Sequence, residues 1–309
     1  MISIIIPIYN HAAFLKQRLE SIFNQTYQNF EVILLDDTST DGSVAILREY
    51  ANHPKVSHFI VNEKNSGSPF KQWKRGMDLA KGEYIWIAES DDYCEVEFLE
   101  KVFQCIEMSG KKFGIVYTQS IDVDENGKQL YNRLSYTSNF EPNIWEFDFT
   151  LSGKEFVAKY LKTKNVLPNA SAVVFKRSLV KDSIFSTKML NMKMCGDWWF
   201  WFQIVQNTNV GFLAQNLNYF RIHSSVTRFH KSTDLKKQRL FEESLIRKEL
   251  SEMAIFQQME KKKIYQSWFE LHVFTDLLNR NFYRVVIDKR DYLSFVISFI
   301  KNKIKAFPV

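Results

Sequence analysis

The sequence predicts an α/β protein: a mainly parallel sheet flanked by helices and followed by a helical C-terminal extension. Two observations carry that expectation. Over roughly the first 120 residues, short apolar runs alternate with stretches of helical periodicity, the pattern of strands joined by helical crossovers. From about residue 232 onward the strand signal fades and helical patterning takes over.

Taken in order, strands are expected at 2–8, 31–35, 56–61, 84–88 and 114–118. The first, in MISIIIPIYN, is a continuous branched apolar run, as a strand buried on both faces requires. Helical patterns fall between them at 12–25, 43–51, 70–81 and 95–109; the first places Phe14, Leu15, Leu19, Ile22 and Phe23 on one face. DENG at 124–127 marks a turn. From 128 to about 150 periodicity is lost, which predicts a long binding loop. Beyond it come a helix at 152–163, a strand at 171–176, an aromatic helix near 197–207 and strands near 210–214 and 217–222.

Composition narrows the function classes. The 309 residues are 45% hydrophobic and 25% charged, which excludes a disordered chain. A net charge of +6 favours anionic partners, yet no nucleic-acid-binding motif accompanies it. Cys94, Cys105 and Cys195 form neither a disulfide framework nor a zinc site and suggest a reducing compartment. MISIIIPIYN has no basic leader and meets Pro7 early, so it reads as a core strand and not as a signal peptide. A cytoplasmic protein is expected, and the sequons NQT and NAS read as accidental.

Chemistry gathers at two strand ends. EVILLDDTSTDGS delivers Asp36 and Asp37 after the second strand, with Asp41 expected to cap the next helix. YIWIAESDDY delivers Glu89, Asp91 and Asp92 after the fourth. Ligands of parallel sheets bind where strands end. Like charges so close repel, so something positive is expected among them. One acidic group suits the hydroxyls or ring N–H of a nucleoside; the other suits a hard divalent cation that neutralises a diphosphate.

SIIIPIYNHAAFLKQRLESIFNQTYQNFEVILLDDTSTDGS, followed by AKGEYIWIAESDD, resembles the family-2 glycosyltransferases of GT-A fold over roughly residues 2–110. That resemblance implies sugar transfer, with inversion, from a nucleotide-diphosphate donor such as a UDP-sugar. The acceptor would be a glycan or lipid-linked saccharide in surface polysaccharide synthesis. It implies that Pro7 to Tyr9 line the nucleobase with Tyr9 stacking, that Asp37 accepts from the base, and that Asp91 lies toward the ribose. Asp92 would hold magnesium or manganese. PFKQWKRGMDLAKGEYI departs from the family's Ala-Arg-Asn stretch, leaving Lys71, Lys74 or Arg75 to supply the positive donor contact. The same resemblance divides the chain into a nucleotide-sugar half (1–125), an acceptor half (126–230) and a helical extension (231–309).

Direct displacement needs a base for the acceptor hydroxyl, and a carboxylate serves. In MCGDWWFWFQIV, Asp197 opens the aromatic helix; it reads as an N-cap or, by the resemblance, as the catalytic base. Trp198 and Trp199 read as an acceptor platform or as core. YFRIHSSVTRFH contributes Arg221, His223 and Arg228 after a strand; the resemblance implies that His223 touches phosphate or metal and that Arg221 pairs with phosphate as a planar donor. At the C-terminus an apolar run, 292–300, lies among Arg284, Lys289, Arg290, Lys301, Lys303 and Lys305. It suits peripheral contact with an anionic inner leaflet, or a helix packed on the domain. A sugar nucleotidyltransferase would need a glycine-rich phosphate loop after the first strand, and PIYNHAAF has no glycine. The competing reading is a catalytically inactive glycan-binding or membrane-adaptor protein on the same scaffold.

Overall fold

Ten strands build one sheet: β1 (Ile2–Ile8), β2 (Phe30–Asp36), β3 (Val56–Val61), β4 (Tyr84–Ile87), β5 (Tyr93–Cys94), β6 (Phe113–Val123), β7 (Gln129–Asn132), β8 (Phe149–Ser152), β9 (Val173–Lys176) and β10 (Asn209–Arg221). They lie in the order β3-β2-β1-β4-β9-β6-β10-β5, with β7 on β6 and β8 on β10. The first four in that row are parallel. β9 then runs antiparallel to both β4 and β6, while β6 and β10 are parallel. This computed structural model describes residues 1–223, 232–253 and 258–305, so Arg228 lies outside the described residues.

The apolar runs form strands because both sheet faces are covered. Along β1, β2 and β4, Ile5, Ile33, Leu35, Ile85 and Ile87 enter one core cluster; Ile4, Ile6, Val32, Leu34 and Trp86 enter the other, the two-residue alternation of a strand. Helices α1 (Ala12–Phe23), α2 (Ser43–Tyr50), α3 (Pro69–Leu79) and α4 (Phe98–Met108) join the early strands. α1 and α4 cover one face with Leu15, Leu19, Phe98 and Val102. α3 covers the other with Phe70, Trp73 and Met77. A Cβ on Gly76 would stand 2.3 Å from Ile5 Cγ2, so glycine lets α3 lie directly on β1. The short helices α5 (Gly153–Phe156) and α6 (Thr187–Leu190) lead to α7 (Gly196–Val205). Eight of the ten α7 residues are buried, which makes it a core helix.

The structure departs from the pattern reading in three places. The segment expected as one loop holds β7 and 3-10 turns at Arg133–Thr137 and Ile144–Glu146. Asn132 and Asn143 side chains accept the Leu134 and Trp145 N–H groups, so local capping, not periodicity, shapes it. The runs expected at 210–214 and 217–222 fall on one strand, β10, which ends at Arg221 and whose register slips around Asn216; a bulge breaks the alternation without ending the strand. Residues 93–94 pair with β10 as β5, and α4 starts only at Phe98.

The C-terminal part comprises α8 (Thr233–Glu252), α9 (Gln258–Glu270) and α10 (Tyr292–Lys305). Trp268, Phe269, Phe282, Phe295 and Phe299 make a third core cluster there. α8 ties that part to the body: Ile246 and Leu250 enter the α3–α7 cluster. Among the described residues, no helix is long and apolar enough to cross a membrane.

Candidate active site

Two strained residues mark the rim. Asn10 after β1 and Thr38 after β2 have φ of 54° and 67°, a region that costs a β-branched residue about 1–3 kcal/mol. Their loops hold each other: Asn10 Oδ1 accepts the Thr40 N–H at 2.7 Å, and its own N–H donates to Ser39 Oγ at 2.9 Å. Asp41 caps twice, accepting the N–H of Ala12 and of Ser43, both at 2.9 Å. Pro7 is buried in β1, while Tyr9 is 49% exposed and presents its ring at the rim.

Asp37 accepts from Asn62 Nδ2 and Gln72 Nε2, both at 2.7 Å, and from Ser66 N–H and Oγ at 2.9 and 2.7 Å. Its carboxylate therefore braces the segment between β3 and α3, with Oδ2 carrying a single donor. Two basic side chains of α3 reach the residues that hold Asp37. Lys71 Nζ donates to Ser66 O at 2.7 Å, Arg75 to Asn62 Oδ1, and Lys74 pairs with Asp78.

After β4 the acids separate into layers. Asp91 Oδ2 is hydrogen-bonded to His223 Nε2 at 3.0 Å. His11 joins them: the ligand atoms of His11, Asp91 and His223 all lie within 4.8 Å of one another. His11 Nδ1 is held by Ser90 Oγ at 2.8 Å. Burial alone would raise the Asp91 pKa, but the His223 hydrogen bond and the two imidazoles bring it below the usual carboxylate value. Burial lowers that of His11, outweighing the attraction of Asp91. An ionised carboxylate beside a neutral imidazole is the protonation state that cation binding requires.

Asp92, the expected cation ligand, is placed differently. It sits at the entrance to β5, antiparallel to β10, so its Oδ1 takes the Arg221 N–H at 2.9 Å. It is 1% exposed, and burial followed by Asp91 raises its pKa to about 7. Arg221, expected as a phosphate donor, is engaged with the protein. Its Nε donates to Asp91 O (2.7 Å), Nη1 to Glu125 O (2.9 Å) and Nη2 to Gln17 Oε1 (2.5 Å). Each guanidinium nitrogen has a partner within the protein, with one Nη2 N–H left over, and Arg221 locks β10 to the acidic turn.

Two further groups shape the site: Glu89, which the sequence already places among the strand-end acids, and Arg18, which the sequence reading did not single out. Glu89 accepts from Trp73 Nε1 at 3.1 Å; burial, then Asp91 and Asp92, push its pKa to about 8. Arg18 on α1 is fully buried over the Trp86 ring at 4.8 Å. Among the described residues its three nitrogens have no hydrogen-bond partner. Its charge lowers the pKa of both Asp92 and Glu89, so a positive group does underlie the acids. The helical pattern signals it, because Arg18 shares the face of Leu15, Leu19 and Ile22.

Asp197 opens α7. Its Oδ1 accepts the Trp198 N–H at 2.7 Å and its Oδ2 accepts Asn165 Nδ2 at 2.8 Å. Burial raises its pKa to about 7 against these two hydrogen bonds, suiting a base at neutral pH. A Cβ on Gly196 would lie 2.3 Å from the Phe70 ring, so glycine seats the start of α7 against α3. Glu242 of α8 accepts the N–H groups of Lys193, Met194 and Cys195, each at 2.9 Å, fixing the approach to α7. Segment 165–171 connects the two acidic centres: Asn165 holds Asp197, and Ser171 Oγ accepts the Glu89 N–H at 3.0 Å.

Trp198 and Trp199 are not an exposed platform. Each is 5% exposed; Trp198 donates to Leu161 O at 2.9 Å. A helix buried on nearly every side leaves no ring face for a sugar. A cavity of about 460 Å³ lined by Tyr27, Glu83, Tyr84 and Phe103 lies at the opposite, amino-terminal edge of the sheet, away from these acids.

A sheet of this order, with a His-Asp-His group and a buried carboxyl at its loops, has the architecture of a GT-A type sugar transferase. Residues 3–185 match the glycosyl transferase family 2 model, and the chain belongs to that family. The structure resembles that of Staphylococcus aureus TarS 1–349, with TM-score 0.55 and 20% identity over 99% of this chain and 81% of that one. Against TarS 1–349 in complex with UDP-GlcNAc the TM-score is 0.58 at 17% identity, over 97% of this chain and 81% of that one. At such identities the likeness establishes the shared fold. Glycosyltransferase GlyG of Streptococcus pneumoniae is 29% identical over 198 residues, 60% of this chain and 58% of that protein. The poly(ribitol-phosphate) beta-glucosyltransferase of Bacillus spizizenii is 41% identical over 102 residues, 32% of this chain and 16% of that enzyme. The chain thus matches less than two thirds of either relative's length.

Proposed function

We propose that the protein is an inverting, metal-dependent glycosyltransferase. It moves a sugar from a nucleotide-diphosphate donor, a UDP-sugar, to a saccharide or lipid-linked glycan acceptor in surface polysaccharide synthesis. The observation that carries this reading is the His11–Asp91–His223 group at the strand ends, joined through 165–171 to an Asp197 that titrates at about 7. TarS, solved with UDP-GlcNAc and with UDP, supports the donor class.

In this reading His11, Asp91 and His223 hold the cation, and two imidazoles with one carboxylate suit manganese better than magnesium. When bound, a divalent cation supplies positive charge to the leaving diphosphate. Tyr9 stacks on the base and Asp37 Oδ2 meets its N–H. Asp197, oriented by Asn165 and the Trp198 N–H, takes the acceptor hydroxyl proton as the acceptor oxygen bonds to the anomeric carbon. The anomeric carbon–phosphate oxygen bond breaks on the opposite side. Residues 1–125 serve the donor and 126–230 the acceptor, with 231–309 as a bracing extension.

A panel of nucleotide sugars assayed for nucleotide-diphosphate release tests this. One donor should turn over with manganese and stop with chelator. Asp197→Asn should still bind that donor while losing transfer. Turnover undiminished by chelator, or by Asp197→Asn, would remove the cation or the base from the scheme.

A further inference from the structure

Helix α10 is apolar on two opposite faces. Phe295 and Phe299 are 1% and 0% exposed. Their rings lie 4.9 and 5.3 Å from that of Phe269, and Phe299 lies 4.8 Å from Phe282. These contacts fasten the helix to the C-terminal cluster. Leu293, Ile297 and Ile304, by contrast, are 74%, 44% and 62% exposed. At about 100° per residue these three fall within about 40° of one another and about 160° round from the two phenylalanines. A helix that only packs on its own domain carries polar residues there.

The charge around the stripe selects what covers it. Between residues 288 and 305 stand Lys289, Arg290, Lys301, Lys303 and Lys305 against Asp288 and Asp291. Both acids are occupied: Asp288 pairs with Arg290 and Asp291 with Lys261, at 2.5 and 2.8 Å. Lys301 and Lys305 are exposed beside the apolar stripe. Lysines in a last helical turn also suit the helix dipole, but that does not explain three exposed aliphatic side chains in line. The 14 residues of α10 reach about 21 Å, short of the ~30 Å hydrocarbon core. An apolar stripe with a basic border, too short to span, matches a helix lying in the plane of an anionic interface.

We propose that α10 docks the protein on an anionic lipid surface. Leu293, Ile297 and Ile304 enter the boundary between headgroups and acyl chains, and Lys301 and Lys305 meet the lipid phosphates. The inference does not depend on the transfer chemistry, because its test reads binding.

The full chain is sedimented with vesicles of phosphatidylcholine alone or mixed with phosphatidylglycerol, at low and high salt, with light scattering on the free protein. Binding to the mixed vesicles alone, weakening with salt, is expected. Lys301→Gln/Lys305→Gln should cost at least about tenfold in partition, since each basic residue contributes about fivefold. Leu293→Glu/Ile297→Glu should abolish binding while the melting temperature stays at the parent value, because Phe295 and Phe299 are untouched. Equal sedimentation of the Glu variant and its parent overturns the proposal, as does failure of the parent to bind. A parent oligomer that Leu293→Glu/Ile297→Glu dissolves, without vesicle binding, would make this face a contact between copies instead.

Discussion

Removing the Asn165 amide from Asp197 should move the pH dependence of transfer. In the parent, a base titrating at about 7 is ionised in about one molecule in eleven at pH about 6, half at about 7 and ten in eleven at about 8. The rate should therefore rise about tenfold across that interval and then level. Asn165 Nδ2 donates to Asp197 Oδ2 at 2.8 Å and so favours the carboxylate. A hydrogen bond to a charged group is worth about 1.5–3 kcal/mol, roughly one to two pK units. With Asn165→Leu the rising limb should move up by at least about one unit, and the rate near pH 7 should fall about fivefold. It should return to the parent plateau near pH 9 or above. The assay is nucleotide release with saturating donor, acceptor and manganese across that range. A merely misshapen site would lose the same factor at every pH. A parent profile flat through neutrality, or an Asn165→Leu limb that does not move, would refute the assignment of Asp197 as base.

Asp197→Asn should also change stability, with a definite sign. The folded state holds the proton more tightly than an unfolded chain, so this group's contribution is complete below about pH 4 and lost as pH rises through about 7. The always-neutral variant should therefore melt higher than the parent at about pH 8, with a smaller gain at about pH 5; an equal gain at both would contradict the buried-charge account. Calorimetric titration with manganese should show Asp91→Asn or His11→Ala weakening binding by about tenfold or more. Asp92→Asn keeps an acceptor for the Arg221 N–H and should bind nearly as the parent does; the reverse ranking would return the ligand role to Asp92. Glu242→Ala strips acceptors from three N–H groups and should cost about 2–4 kcal/mol in denaturant unfolding. Loss below about 0.5 kcal/mol would show that water replaces it.

The parallel strands were legible because they are buried on both faces: Ile4, Ile5 and Ile6 are all fully buried, so the run stays apolar without interruption. The rim followed, because the loops after parallel strands gather at one end of the sheet, and the acids of LLDD and AESDD fall in those loops. What stayed hidden was direction. Residues 91 and 92 are equivalent in sequence, and only the pairing of β5 with β10 turns Asp92 inward while Asp91 meets His223. His11 needed a contact 212 positions away in the chain to become meaningful. Trp198 and Trp199 read equally as platform or core until α7 was found enclosed. Segment 128–150 escaped because Asn caps and the buried Trp145, whose Nε1 reaches Tyr117 Oη at 2.7 Å, leave no period to detect.

The two layers explain how five acids share one rim. The inner layer is neutralised by the protein. Arg18 lies beneath Asp92 and Glu89, Arg221 donates its N–H to Asp92, and Trp73 donates to Glu89. The outer layer, Asp91 with two imidazoles, carries a lowered pKa and stays anionic. Beneath the neighbouring loop, Asp36 Oδ1 accepts the Ser39 N–H at 2.9 Å, and Asp37 accepts from Asn62, Ser66 and Gln72 while its Oδ2 carries a single donor. The cation site on the rim is thus built around Asp91, while Asp92 and Glu89 are matched inside the fold by Arg18, the Arg221 N–H and Trp73. This division also accounts for the placement of Arg221. A guanidinium free to reach phosphate would leave the Asp91 carbonyl and the Glu125 carbonyl without their donors, and the turn that aims Asp91 at His223 would lose its brace.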